Sequence, residues 1–191
     1  MLLLAVRRIE FPGRRADIPL DDDVTEEALG ETLGSADPRV FLALLRDPRE
    51  RHATSIHDYD VFPVGTIARL LEYGDRAVVE VEERGRIVRI TPREDLGFDA
   101  TVDSLPVNEP ALPEIGERMR RVRELFVGWA RTHGRVAAES AFARAEQNPS
   151  RLAYAIASFG PLDENARQKL LETLDLHDQL ELLESALLGA K

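Results

Sequence analysis

The chain has 191 residues, no cysteine, 43% hydrophobic and 31% charged residues, and a formal net charge of −10. This composition is that of a globular protein with one domain or two small ones, and it excludes a disordered chain. The absence of cysteine excludes disulfides, thiolate metal sites and thiol nucleophiles, and it suits a reducing compartment, so we expect a cytoplasmic protein. The apolar run 2–6 is stopped by Arg7 and Arg8, far short of a membrane span of about 20 residues. The acidic excess would repel phosphate backbones, so no nucleic acid is expected as a partner.

The first half of the chain, to about residue 106, is predicted to be rich in β-strands. Turn-forming residues recur every eight to twelve positions, and the apolar residues are β-branched or alternate with polar ones. The predicted strands are about 2–6, 8–11, 40–45, 63–72, 76–83, 85–91 and 97–105. Tyr73-Gly74-Asp75-Arg76 is predicted to be a hairpin turn, and 25–33 a helix that Gly34 ends. The pattern favours a small barrel with one helix across it.

Three prolines within 105–113 exclude a helix interior and a central strand, so this segment is predicted to be a linker. The predicted organisation is a β-subdomain at 1–106, a linker at 107–113 and a helical subdomain at 114–191. A long amphipathic helix is predicted from about 113 to 133. Its apolar stripe has helical spacing and consists of Ile115, Met119, Val122, Phe126 and Trp129.

The ends of the later helices are marked by capping residues. Asn148-Pro149, Asp163 and Asp175 are predicted to begin helices, and Gly160-Pro161 to end one. The stripes expected to pack against the long helix are Leu152, Ile156 and Phe159, then Leu170, Leu171 and Leu174, then Leu180, Leu183 and Leu187.

The residues needed for nucleotide or covalent chemistry are missing from the sequence. A phosphate-binding loop requires Gly-Lys-Ser/Thr, yet the only lysines are Lys169, in Gln168-Lys169-Leu170, and the terminal Lys191. Both lysines are also poor candidates for a Ser-Lys dyad, and no Gly-x-Ser-x-Gly motif occurs. We therefore predict that the chain is not an enzyme and has no catalytic residues.

Several groups of polar residues could form sites but fit a structural role better. A divalent ion could bind among His52, His57, Asp58 and Asp60, but their spacing fits a polar loop better. The aspartates at 21–23 fit a helix start better than an ion site. The alternation of Glu80 and Glu82 indicates the solvent-exposed face of a strand. A catalytic acid and base pair drawn from Glu80, Glu82, Glu83 and Glu94 is therefore not favoured.

The long helix offers two further candidates. Its arginines could bind an acidic partner, but interleaved glutamates favour an ordinary solvated face; these arginines are Arg118, Arg120, Arg121 and Arg123. Trp129 is interpreted as core rather than as a ligand platform. Composition and spacing thus predict a non-enzymatic binding module with no metal or cofactor, and they leave its substrate-binding residues unknown.

Three stretches in order resemble the N-terminal, substrate-binding domain of the Lon family of ATP-dependent proteases. The first is Leu4-Ala5-Val6-Arg7-Arg8-Ile9-Glu10-Phe11-Pro12-Gly13 with Ile18-Pro19-Leu20. The second is Val40 to Arg46 followed by Asp58-Tyr59-Asp60-Val61-Phe62-Pro63-Val64-Gly65-Thr66-Ile67-Ala68-Arg69. The third is Asn148-Pro149-Ser150-Arg151-Leu152-Ala153-Tyr154-Ala155-Ile156-Ala157 with Lys169-Leu170-Leu171-Glu172-Thr173-Leu174-Asp175. The chain departs from the family pattern at Asp21-Asp22-Asp23 and at Glu82-Glu83-Arg84-Gly85-Arg86.

The resemblance implies an α+β fold in which a PUA-like β pseudo-barrel is followed by a helical bundle. It also implies a non-catalytic module that captures unfolded or damaged polypeptides and supports assembly of an ATP-dependent protease, whose ATPase and peptidase domains would lie elsewhere. Two readings stay open: a piece of such a protease, or a free-standing Lon-domain adaptor or oligomerisation and docking module with no protease of its own. RNA binding, known from other PUA-like barrels, is disfavoured by the acidic balance.

Overall fold

The computed structural model describes residues 1–20, 26–47, 60–94, 97–110, 112–134 and 148–190. The fold is α+β, and the chain divides into two compact units, Met1–Leu105 and Pro106–Lys191. In the described residues, the first unit holds six strands and one helix, and the second holds four helices.

The first unit is a sheet that closes on itself. Its strands are β1 (Leu2–Val6), β2 (Arg14–Pro19), β3 (Arg39–Leu44), β4 (Val64–Tyr73), β5 (Arg76–Pro92) and β6 (Phe98–Ser104), and its helix is α1 (Glu26–Gly34). The order is β2-β5-β4-β3-β1-β6, and β6 also pairs with β5, so five strands form a ring. Only the β1–β3 pair is parallel among the described strand pairs.

The strands bury side chains on both faces of this sheet, as expected when each face packs against other elements. Leu2, Leu4 and Val6 of β1 point into one cluster, which includes Ile18 of β2 and Leu29 of α1. The second cluster gathers Leu3, Phe41, Ala43, Val61, Ile67, Phe98 and Ala100. The alternation along β1 thus divides its side chains between two cores.

Two glycines face each other where β4 and β5 cross over Phe41. Gly65 pairs with Gly85. A methyl group on Gly65 would lie 2.1 Å from the carbonyl oxygen of Leu42, and one on Gly85 would lie 2.5 Å from Cγ1 of Val102. Because the backbones approach so closely here, only glycine fits without a shift.

Most predicted strands of the first unit are confirmed within a residue or two, and so are helix α1 and the turn at Gly74-Asp75. Two strand predictions were wrong. Residues 8–11 are not a strand, because Ile9, Glu10 and Phe11 are all buried and Pro12-Gly13 turns the chain at a positive φ before β2 begins. The predicted strands 76–83 and 85–91 are one strand, since Gly85 allows β5 to pass from β2 and β4 to β6 without a break.

The second unit contains helices α2 (Leu112–Thr132), α3 (Pro149–Phe159), α4 (Glu164–Glu172) and α5 (Leu176–Gly189). The predicted caps are confirmed: the side chains of Asn148, Asp163 and Asp175 each accept a hydrogen bond from a backbone N–H of the following turn. Gly160 caps α3 at its C-terminal end, as predicted.

Most of the predicted apolar stripes in the second unit are buried. The fully buried members are Ile115, Val122, Phe126, Leu152, Ile156, Leu170, Leu171, Leu180, Leu183 and Leu187. Helix α5 packs on α2 and on α3. Leu174 was wrongly assigned to a stripe and is 46% exposed, because α4 ends before it at the cap residue Thr173.

Candidate functional site

Strand β2 differs from the other strands in having one unshared edge. It pairs with β5 along its whole length, whereas each of the other five described strands has at least two strand neighbours. Within the described parts of the chain, residues 15–19 of β2 have no second strand beside them. An unshared edge presents backbone N–H and C=O groups to which an extended peptide can pair, whatever its sequence.

A cavity of about 210 Å³ lies beside this edge, between the end of β1 and β2. Its apolar wall is formed by Ala5, Val6, Ile18 and Pro19. Ile18 and Val6 are also part of the core, being 3% and 7% exposed, so the floor of the cavity is continuous with the packed interior. An apolar side chain entering the cavity would be removed from water there, which stabilises its binding.

The rim of the cavity is charged on both sides. Glu10, whose side chain is only 8% exposed, lies 3.2 Å from Arg8 and 3.5 Å from Arg14. Asp17 on β2 lies 3.3 Å from Arg76 on β5. Both carboxylates thus have arginine partners, and they line the cavity together with Arg7 and Arg8.

The residue pattern did not predict this site, because it indicated a strand at 8–11 instead of 14–19. A signal was present in Arg14-Arg15-Ala16-Asp17-Ile18-Pro19, where Ala16 and Ile18 are buried and alternate with exposed residues. The proline at the strand's end is typical of an edge strand, because it has no N–H to donate to a neighbour.

The glutamates considered as an acid and base pair lie on a solvated surface, as the alternation predicted. Glu80, Glu82 and Glu94 are exposed. Glu82 accepts a 2.8 Å hydrogen bond from Arg69, and Glu83, which is half-buried, accepts one of 2.6 Å from Ser104.

An ion pair lies at the start of β3. Arg39 donates two hydrogen bonds of 2.7 Å to Asp37. These bonds hold the pKa of the Asp37 carboxyl below its usual range, with the charges of Arg39 and Arg69 adding to the effect. The same bonds raise the pKa of Arg39. The pair is exposed, so it is a surface feature and not a catalytic arrangement.

Most members of the two ion-site candidates lie outside the described residues: His52, His57, Asp58 and the aspartates at 21–23. Asp60 lies in a turn before β4. Where the structure describes side chains, no group of three or more His, Asp or Glu residues could hold a metal ion.

Three arginines of α2 form ion pairs within the second unit. Arg118 and Arg121 form ion pairs of 2.9 and 2.7 Å with Glu181 and Glu184 of α5. Arg120 pairs with Glu124 one turn along α2. Arg120 and Glu124 lie on the solvated face that the sequence favoured, whereas Arg118 and Arg121 join α2 to α5.

Trp129 is half-buried, so the prediction that it belongs to the core is only partly right. Its ring stacks on Phe126 at 6.0 Å and on the exposed His133 at 4.9 Å between centroids. Lys169 is exposed on α4, and Lys191 lies outside the described residues.

The family model for the substrate-binding domain of ATP-dependent protease La (Lon) matches residues 1–188. This chain belongs to the Lon substrate-binding domain family. Lon protease 1 of Syntrophobacter fumaroxidans is 30% identical over 191 aligned positions, which cover 96% of this chain. The chain spans about a quarter of that relative's length, 23%.

Two solved structures of Lon N-terminal domains have the same fold. The N-terminal domain of the Mycobacterium avium complex Lon protease matches with a TM-score of 0.78 and 22% identity, covering 97% of this chain and 96% of that one. The Lon N-terminal domain protein of Xanthomonas campestris matches with a TM-score of 0.62 and 17% identity, with the same coverage. The helices that the structure describes include none long and apolar enough to span a membrane.

Proposed function

We propose that this Lon-family chain is the recognition module of an ATP-dependent protease and captures unfolded or damaged polypeptides as extended segments along β2. The observation that carries the proposal is the unshared edge at 15–19 with an apolar cavity beside it. A folded protein has its backbone groups already paired and its apolar side chains buried, so it offers neither of the two features that this site would bind.

The charges of β2 support weak, reversible capture. The strand has only six residues, it carries Arg14, Arg15 and Asp17, and it ends in Pro19. Short, charged edge strands that end in proline disfavour the edge-to-edge pairing between molecules that leads to aggregation. Such an edge would hold one segment at micromolar affinity and release it, as delivery to a protease requires.

The finer features of the fold belong to the same proposal. The ring of β1, β3, β4, β5 and β6 supports a PUA-like pseudo-barrel, and α2 supports a bundle built around one long helix. Catalysis is not assigned to this chain; ATP hydrolysis and peptide cleavage would be carried out by other domains of a Lon protease, in the cytoplasm.

The absence of cysteine allows a direct test of where polypeptides bind. A single cysteine is introduced at Asp17, beside the cavity, and a matched one at Thr101, exposed on β6 in the closed ring. Each is labelled with a photo-crosslinker and mixed with a carboxymethylated, permanently unfolded protein or with the same protein folded. We expect crosslinks from Asp17→Cys to the unfolded form alone. Equal crosslinking of folded and unfolded protein, or equal yields from both positions, would refute the proposal.

A second candidate function is assembly through the second unit, as a docking module or with another copy of this chain. Leu174 and Leu188 favour it, being 46% and 41% exposed. It is the weaker candidate, because single exposed leucines are common on monomers. Light scattering of the parent and of the double variant Leu174→Ser/Leu188→Ser tests this candidate. A parent dimer that becomes a monomer in the variant supports assembly through these leucines, and a monomeric parent excludes self-association.

A further inference from the structure

The strands around one of the two cores form an arc that is open between β1 and β2. The cluster that includes Leu29 of α1 draws buried residues from β2, β5, β4, β3 and β1, which are consecutive in the sheet. Among the described strands, the two at the ends of this arc, β2 and β1, do not pair with each other. With few exceptions their Cα atoms lie more than 8 Å apart, whereas those of paired strands lie about 5 Å apart. A gap therefore separates them, and the cavity of about 210 Å³ lies there.

The edge of β1 that faces this gap is unshared near its C-terminal end. Strand β3 pairs with the whole of β1, but β6 pairs only with Leu2 and Leu3. The carbonyl oxygen of Val6 accepts a hydrogen bond from the residue that follows β3. Because the backbone groups of successive residues in a strand point to opposite edges, Ala5 directs its N–H and C=O away from β3. Ala5 also lines the cavity, so these two groups face the gap.

The opposite side of the gap is the unshared edge at 15–19 of β2, from which Ile18 and Pro19 line the cavity. The lining holds two arginines and two carboxylates, namely Arg7, Arg8, Glu10 and Asp17. Both carboxylates are paired with arginines, so the charges of the lining balance. Selection is thus left to the backbone groups on either side of the gap and to its apolar floor.

We propose that a captured segment is inserted between β1 and β2 and pairs with both, so that the site selects extended, proline-free segments of about the length of 15–19. The inference rests on the proposed capture along β2. A strand placed in the gap would hold β1 and β2 about 10 Å apart, twice the spacing of paired strands. One apolar side chain of the segment would enter the cavity against Val6 and Ile18.

Insertion makes a different demand on the segment than pairing with one edge does. A segment that pairs with one edge uses only alternate N–H groups, because the others point away from that edge. A segment that pairs on both sides uses the N–H groups of successive residues. A proline, which has no N–H, would therefore be rejected at neighbouring positions and not only at every second one.

The test uses the full chain and a labelled peptide of alternating valine and serine residues with leucine at its centre. Single N-methyl groups are placed on the backbone nitrogen of each central residue in turn, and binding is measured by fluorescence anisotropy. We expect N-methylation of the leucine and of a neighbouring serine each to weaken binding about tenfold, because each removes one backbone hydrogen bond and puts a methyl group in its place. N-methylation at the end of the peptide is the matched control and should leave binding unchanged.

The pattern of sensitive positions separates the two proposals. Sensitivity at successive central positions is the result expected for insertion. Sensitivity at alternate positions alone would mean that the segment pairs with a single edge, so that insertion is wrong while capture on a strand edge stands. No sensitivity at any position, or no binding of the unmethylated peptide, would refute backbone pairing and with it capture along β2.

Hydrogen exchange of the Ala5 amide, followed by NMR, locates the pairing in the protein. This amide points away from β3, so it should exchange rapidly in the free protein and slowly with the peptide bound. Slow exchange in the free protein would mean that the chain itself fills the gap, and it would overturn the inference. Ala5→Pro removes this N–H and leaves the bonds of Leu4 and Val6 to β3, so it should weaken peptide binding about tenfold. A folded Ala5→Pro protein that binds the peptide as tightly as the parent would contradict insertion, and the peptide scan decides if this variant does not fold.

Discussion

The crossing of β4 and β5 predicts that Gly65 cannot be replaced by alanine. The added methyl group would lie 2.1 Å from the carbonyl oxygen of Leu42 and 2.9 Å from Cζ of Phe41. The oxygen belongs to the backbone of β3, which is hydrogen-bonded to β4 and to β1, so it cannot move away without disturbing the sheet. The clash must therefore be relieved by a displacement of paired strands.

We expect Gly65→Ala to lower the free energy of unfolding of the first unit by about 3 kcal/mol, the upper range of overpacking costs in cores. Gly85→Ala should cost less, about 1–2 kcal/mol, because the atom it meets is a side-chain methyl of Val102 that can rotate. Gly34→Ala, at the end of α1, is the matched control: nothing lies within 4 Å of its added methyl group. Urea unfolding followed by far-UV circular dichroism measures all three.

The order of the three variants is the decisive result. The reasoning is supported if the loss in unfolding free energy is largest for Gly65→Ala, smaller for Gly85→Ala and within about 0.5 kcal/mol of zero for Gly34→Ala. If Gly65→Ala and Gly34→Ala unfolded at the same urea concentration, the close approach of β3 to Gly65 would be refuted.

Three smaller predictions concern ion pairs, caps and buried polar groups. Because the pKa of Asp37 is lowered in the folded protein, the ionised carboxylate should stabilise the fold above its ordinary pKa of 3.8, and this effect should be lost as the pH falls through the pKa of the folded state. In urea unfolding, Asp37→Asn should therefore be less stable than the parent near neutral pH and equally stable in acid. Asn148→Ala removes the acceptor for the N–H of Arg151 and should destabilise the second unit by about 1 kcal/mol, while Asn148→Asp should not, as followed by the fluorescence of Trp129, the single tryptophan. Gln179→Leu removes the donor to the carbonyl oxygen of Thr173 at the end of α4 and should lower the free energy of unfolding by about 1–2 kcal/mol in the same assay. An unchanged urea midpoint for Gln179→Asn, whose shorter side chain places its amide elsewhere, would contradict a stabilising role of this hydrogen bond.

The elements with a clear local signal could be predicted from the sequence. The caps Asn148, Asp163 and Asp175 were found because a side-chain acceptor at a helix start satisfies a backbone N–H that has no other partner. The strands β1, β3, β4 and β6 were found because alternating or β-branched apolar residues fit a sheet buried on at least one face.

Only the strand β2 of the candidate site has a local signal in the sequence, because the rest of the site depends on contacts distant in sequence. That β2 is an edge strand follows from which strands pair, and the closure of β6 onto β5 is invisible in the residues of either strand alone. Glu10 was counted as part of a strand, since nothing local shows that Arg8 and Arg14 would hold a buried carboxylate. The sequence predicted two strands, 76–83 and 85–91, since the close approach of Phe41 and Val102 to Gly85 comes from residues distant in sequence.

Hydrogen exchange of the full chain, with and without a saturating unfolded protein, tests polypeptide capture along β2 most directly. Strand pairing protects backbone amides from exchange with solvent, whereas contacts through side chains alone leave them open. We expect slower exchange in β2, Arg14–Pro19, on addition of the unfolded protein, with β6 unchanged and no effect from the folded form of the same protein. Binding of the unfolded protein that leaves β2 exchange unaltered, or that protects only the helices of the second unit, would contradict it.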